Sequence, residues 1–396
     1  MESTAKSRRY DLDWLRVAAF TGVFFYHCAR FFNSNGWHIK NAEISGLADI
    51  LTGLFEPWGM PLIFAVSGAG IFFALRPGGA GRFLLERGLR LLVPLALGIL
   101  VLAPPQIYLE RLTHGDFRGG FLQFLPRYFT RDLAWTGVHL WYLEYLFLFT
   151  LVLTPLFIWL KRPSGGRALA ALGRISARPG VIFLWAIPFT LTAVLADPFG
   201  LLRQAPPESI VRLVMFPPFV VFGFLIFADD AVQRAIVRQR WASVVLALGL
   251  STVPPLAAQG IKAWGWKLGF PSYVLLMAAG GLLIWSCVLA FFGFAIRGWN
   301  VNRPLLSYAN EAVLPFYILH QPVILLIGYF VIRMDLPVAA KYMMIWPSSF
   351  AVTLGLYEYG VRRWNPVRRL FGLKPKSRSA EPPRPKANIT SRHPRP

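Results

Sequence analysis

The sequence predicts an all-α polytopic membrane protein, a bundle of about ten transmembrane helices. Three observations predict it. Of the 396 residues, 55% are hydrophobic and only 15% are charged, well below the roughly 25% typical of soluble domains. Apolar runs long enough to cross about 30 Å of hydrocarbon at about 1.5 Å per residue recur along the whole chain. The positive charge, a formal net of +22, sits in short connections and in a tail, as loop charge does in membrane proteins. That placement argues for a basic membrane surface and against nucleic acid.

The expected spans are 12–32, 48–75, 83–107, 137–160, 179–197, 208–228, 240–258, 272–292, 305–332 and 336–358. Lys6, Arg8 and Arg9 precede the first, and no small-residue cleavage site follows it, so it is expected to remain as a helix. The segment 179–197 contains Pro188 and is the weakest of the ten. The chain divides into an N-terminal segment 1–11, a membrane domain 12–358 and a tail 359–396 rich in Pro, Arg and Lys, expected to be disordered. Lys and Arg concentrate on the side that holds the N-terminus, with or without the tail, which predicts that both termini are cytoplasmic and that the 108–136 loop lies outside. The Asn388 triplet then carries no weight as a glycosylation signal. Cys28 and Cys287 lie inside apolar runs, as packing residues do; no metal site is expected.

The first span carries "RVAAFTGVFFYH", with Arg16 and His27 at its ends. Eleven residues advance a helix by three turns and about 20°. Both side chains therefore share one face, roughly 16 Å apart along the axis. Asp13 is one turn before Arg16 and can pair with it. Ionisable groups inside a bilayer are costly and face a bundle interior or a wet cavity. Either residue alone could snorkel or pack; the pair on one face favours function.

Other groups join them. "RFLLERGLRLLVP" opens the third span. Its Arg87 and Arg90 are neighbours on a helix, and beside Arg16 their planar forks suit phosphate. Arg82 reads as loop charge. "HLWYLEY" brings His139, Trp141 and Glu144 to the far side, where an interfacial aromatic belt explains Trp141. "NEAVLPFYILHQP" brings His320 to about the depth of His27, and Glu311 to a shallower level. Nine residues place Glu311 and His320 on opposite faces of a regular helix, with Pro315 between them able to kink it. Arginines towards the cytoplasm and histidines towards the outside suit a phosphate-bearing donor from within and an acceptor from without.

At these residues the sequence resembles the integral-membrane acyltransferases of family 3. "LDWLRVAAFTGVFFYH", "MPLIFAVSGAGIFF", the Arg-x-x-Arg of "RGLRLLVP" and "LPFYILHQPV" carry the match in order, with "HLWYL" added, from residue 11 to about 325. "GWHIKNAEIS", which includes His38, and the "NE…LPFYILHQP" form of the last motif look like the branch that contains the membrane succinyltransferase of periplasmic glucans. The resemblance implies a bacterial inner-membrane enzyme. It would move an acyl group of acetyl or succinyl type from acyl-coenzyme A, a co-substrate and not a cofactor, to a hydroxyl of a cell-envelope carbohydrate. The family's functional Arg-x10-His and Arg-x-x-Arg match Arg16, His27, Arg87 and Arg90. The catalytic candidates are His27 as general base, His320 and Glu311; the donor-binding candidates are Arg16, Arg87 and Arg90. Asp13, His38, His139, Trp141 and Glu144 are acceptor-side or structural. Ser67 in "VSGAG" could be a nucleophile only beside a base and reads better as a small packing residue. The same intramembrane charges would also suit a secondary transporter of an anionic solute; the absence of a repeat argues against it.

Overall fold

In the computed structural model, residues 8–76, 78–196, 208–265 and 269–376 are described. All regular structure among them is helical: α1 Tyr10–Ala29, α2 Gly46–Phe55, α3 Gly59–Ala74, α4 Ala80–Leu97, α5 Ala103–His114, α6 Phe121–Thr130, α7 Trp141–Leu160, α8 Pro163–Ser176, α9 Ile187–Ala196, α10 Glu208–Met215, α11 Pro217–Ala228, α12 Asp230–Arg238, α13 Arg240–Ser251, α14 Val253–Trp264, α15 Phe270–Gly298, α16 Pro304–Val331, α17 Val338–Gly355 and α18 Asn365–Leu370. Proline opens several of them at a position where its missing N–H has no intrahelical partner to lose.

Seven helical stretches among the described residues are long and apolar enough to cross a membrane: Gly46–Ala74, Ala80–His114, Val138–Leu160, Ile210–Ala228, Arg240–Ala257, Phe270–Gly298 and Pro304–Val331. Three of the ten expected spans fall outside this set. α1 and α17 form as helices of 20 and 18 residues, but the charges of α1 and the polar residues around Pro347 in α17 dilute their apolar character. The 179–197 segment breaks into a 3-10 turn, Val181–Ala186, followed by the short α9. The loop expected at 108–136 is largely helical: α5 continues from α4 through a π-helical stretch, Gly98–Leu102, and α6 follows. Residues expected to open the disordered tail are ordered as far as Lys376. α18 packs on α4, and Arg368 is buried. The rest of the expected tail, from Ser377 on, lies outside the described residues.

Where the bilayer supplies no hydrophobic drive between helices, close van der Waals contact must hold them. α3 and α11 show how. A Cβ added at Gly68 would stand 2.0 Å from the Val220 carbonyl oxygen, and one at Gly223 would stand 1.8 Å from that of Ala65. The two glycines let the backbones touch, so Gly68 fills the packing role expected of Ser67.

α1 runs through the middle of the bundle, against α2, α3, α15, α16 and α17. Leu12, Leu15, Ala19, Phe20, Val23 and Phe24 are buried along it. Its Arg16 and His27 meet Asn310 and His320 of α16, while Arg87 and Arg90 come from α4 and His139 from just before α7.

Candidate active site

The arginines and the histidines occupy opposite ends of α1. At one end Arg16 donates from Nη1 to Asn310 Oδ1 at 3.1 Å and stands 3.6 Å from Asp13 Oδ1. Asp13 is also gripped by Arg8, at 3.0 and 2.8 Å, and so serves to anchor the helix start. Arg87 and Arg90 of α4 are close enough to Arg16 to repel it and each other. Neither has a carboxylate partner among the described residues, and Arg87 Nε is shielded from solvent without any hydrogen bond. Guanidiniums held together without a carboxylate suit the oxygens of a phosphate. Arg82, by contrast, pairs with Glu86 at 2.8 Å on the exposed surface.

An aromatic layer fills the space between the two ends. Phe20 of α1, Tyr142 of α7 and Tyr317 of α16 meet edge to face at centroid distances of 5.0 to 5.9 Å. Tyr142 shares a hydrogen bond of 2.6 Å with Ser67 Oγ. That bond occupies Ser67 with a phenol and brings no imidazole to it.

Beyond this layer three imidazoles gather. His27 Nδ1 and His320 Nε2 are 2.9 Å apart. His320 Nδ1 is 2.5 Å from the carbonyl oxygen of Tyr317. A carbonyl can only accept, so His320 carries its proton on Nδ1 and presents a lone pair at Nε2. His27 must then donate from Nδ1, which leaves the lone pair of His27 at Nε2. His320 is 1% exposed, so its tautomer is fixed by protein groups alone.

His139 follows the same logic. Its Nε2 faces the carbonyl oxygens of Tyr317 at 3.2 Å and Ile318 at 3.1 Å and must donate. Pro322 explains why Ile318 is available: it has no N–H to close the helical bond to that carbonyl. The Tyr317 hydroxyl donates back to the His139 carbonyl oxygen. His139 Nδ1 is left buried with no partner. His27, His139 and Tyr317 line a cavity of about 130 Å³ together with Val23, Tyr26, Phe55, Glu56, Met60 and Trp141.

The remaining expected residues surround this cavity or lie away from it. Trp141 lines it and carries the Arg212 guanidinium over its ring at 4.3 Å. Glu144, one turn on, has Arg212 nearby and one shielded carboxylate oxygen without a hydrogen bond. His38 pairs through Nδ1 with Glu110, and its Nε2 is 3.2 Å from the amide nitrogen of Gln321, the neighbour of His320. Glu311 does not join the histidines. Its carboxylate takes Arg368 at 2.9 Å, the Tyr357 hydroxyl at 3.0 Å and Arg362 at 3.7 Å, which makes it the tether of the C-terminal segment. The physical reason is the nine-residue spacing, which turns it away from His320 on α16.

Sequence reasoning passed over Glu56, Tyr26 and Gln321. Glu56 had a signal, a carboxylate inside an expected span. Tyr26 and Gln321 had none beyond their adjacency to a histidine.

The model of the family described as an acyltransferase domain matches residues 9–357. The chain belongs to acyltransferase family 3. Three curated relatives, each called glucans biosynthesis protein C, come from Salmonella schwarzengrund, Salmonella heidelberg and Salmonella enteritidis. Each is 23% identical, with 84% of this chain and 86% of the relative covered. No solved structure matches the chain. Membership makes this a multi-pass membrane acyltransferase, with an acyl donor and an acceptor to be served by one helical bundle.

Proposed function

We propose that this acyltransferase moves a short acyl group from cytoplasmic acyl-coenzyme A to a hydroxyl of a cell-envelope carbohydrate, of which a glucan is the first candidate. His27 Nε2 is the general base. The observation that carries this reading is the proton chain from His27 Nδ1 to His320 Nε2 and from His320 Nδ1 to the Tyr317 carbonyl. It orients a basic nitrogen at the cavity that His27 lines.

The steps balance. His27 Nε2 takes the proton of the acceptor hydroxyl as its oxygen attacks the thioester carbonyl. The imidazolium that forms is held by the bond from its Nδ1–H to His320. The C–S bond breaks, the ester remains on the acceptor, and the thiolate takes the proton back from Nε2. The unpaired guanidiniums of Arg87 and Arg90, with Arg16, hold the coenzyme's phosphates. Its long arm then runs along α1, parting the aromatic layer of Phe20, Tyr142 and Tyr317. In this reading the arginine end faces the cytoplasm and both termini lie there. The names of the relatives support a glucan acceptor, and the family supports ester formation at oxygen.

Purified protein in nanodiscs, supplied with radiolabelled acetyl-coenzyme A and a β-linked gluco-oligosaccharide, tests this. Label should move to the sugar, and His27→Ala should abolish nearly all transfer while donor binding persists. Equal transfer by the variant would exclude His27 as the base.

A further inference from the structure

The chain is interrupted between α2 and α3 by Glu56, Pro57 and Trp58. Glu56 is exposed at the mouth of the histidine cavity. Its Oε1 accepts one hydrogen bond, from the Tyr26 hydroxyl at 3.2 Å, and its other oxygen has no hydrogen-bond partner among the described residues. Tyr26 is the residue before His27, and their rings are 5.5 Å apart. The carboxylate therefore stands within one side chain of the proposed base.

No Lys or Arg lines the cavity. Two guanidiniums touch its lining residues from outside. That of Arg30 lies 5.7 Å from the Tyr26 ring and donates to the Gly36 carbonyl; that of Arg212 sits over the Trp141 ring. The hydrogen bonds that the imidazoles do make are those of neutral rings. Glu56 is thus the one fixed charge among the residues that line the space where the acyl group and the acceptor meet.

We propose that Glu56 is a specificity-determining residue. It selects acyl groups without a negative charge, and its free oxygen accepts a hydrogen bond from a hydroxyl of a neutral polyol acceptor. This rests on the reading of the chain as a coenzyme A-dependent transferase. Two like charges a few ångströms apart repel, because water at a protein surface screens them only in part. A second carboxylate at the far end of a succinyl group would meet that repulsion, and an acetyl group would not. A sugar brings hydroxyl donors that a carboxylate can use.

The test compares acetyl-coenzyme A with succinyl-coenzyme A on the full chain in nanodiscs, with the same gluco-oligosaccharide, as a ratio of kcat/KM. Because both donors are read on one preparation, the ratio is independent of how much protein is folded. Wild type should favour acetyl by about tenfold or more. Glu56→Gln, which removes the charge and keeps the shape, should shift the ratio towards succinyl by a similar factor. Tyr26→Phe, which frees the carboxylate but keeps its charge, should leave the ratio as in wild type. A wild type that prefers succinyl, or a ratio unmoved by Glu56→Gln, overturns the inference and leaves acyl transfer standing. Absence of turnover with both donors in wild type brings down the transfer reading itself, and this inference with it.

Discussion

The pairing of His27 with His320 sets a quantitative expectation. His320 touches the acceptor only through His27, so its loss should weaken the base without removing it. The bond at stake is 2.9 Å long, and it strengthens as His27 gains its proton in the transition state. Hydrogen bonds to charged groups contribute about 1.5 to 3 kcal/mol. His320→Ala should therefore lower kcat by roughly 10- to 100-fold. Loss of the base itself in His27→Ala should cost about 10² to 10⁴. The two losses should not multiply: in the His27→Ala background, His320→Ala should change the residual rate little, because the group it supports is gone. His320→Gln adds a discrimination, since an amide can donate to the Tyr317 carbonyl through nitrogen and accept from His27 through oxygen. It should recover part of what Ala loses. Steady-state transfer with separate measurement of donor binding reads all four variants. Fully multiplicative losses would refute the relay and make His320 an independent participant.

The arginine end gives a second expectation. Arg87→Ala or Arg90→Ala should raise the dissociation constant for acyl-coenzyme A by about 10- to 100-fold, measured by equilibrium binding, with Lys a poor substitute because it offers a point charge and no fork. Donor binding equal to wild type in either Ala variant would place the donor site elsewhere. For orientation, a cysteine introduced at position 120 should react with an impermeant thiol reagent from outside the cell; labelling only from inside would invert the assignment of the two ends. Glu311→Gln should loosen the C-terminal segment through loss of the pairs with Arg368 and Arg362, seen as faster proteolysis after Val361, while His27 chemistry continues. A loss of turnover as deep as that of His27→Ala, with donor binding intact, would restore Glu311 to catalysis.

What the sequence made legible is what depends on one helix. Arg16 and His27 follow from helical period alone, and so does the divergence of Glu311 from His320. The seven long apolar stretches were visible because hydrocarbon thickness fixes their length. The breaks were harder to see. Glu56 and Pro57 mark the first break, and Pro179, Gly180 and Pro188 flank the 3-10 turn at Val181–Ala186, but the apolar runs around them mask both interruptions. The ordered segment up to Lys376 was hidden because its composition is that of a tail. The buried Arg368, paired with Glu311 of α16, and the buried Phe371 dock it.

The tautomer of the proposed base depends on contacts between helices far apart in sequence. "LHQP" reads at first as a histidine beside a helix-breaking proline. In three dimensions the proline and the histidine do complementary work. Pro322 withholds an N–H from the Ile318 carbonyl, and His139 from before α7 donates to it. That bond locks His139 against α16 beside Tyr317, whose carbonyl also takes the proton of His320 Nδ1. With that proton fixed, His320 can only accept from His27, and His27 can only offer Nε2 to a substrate. The proton on the proposed base is thus set through the Tyr317 carbonyl oxygen of α16, while the carbonyl that Pro322 frees holds His139 beside it.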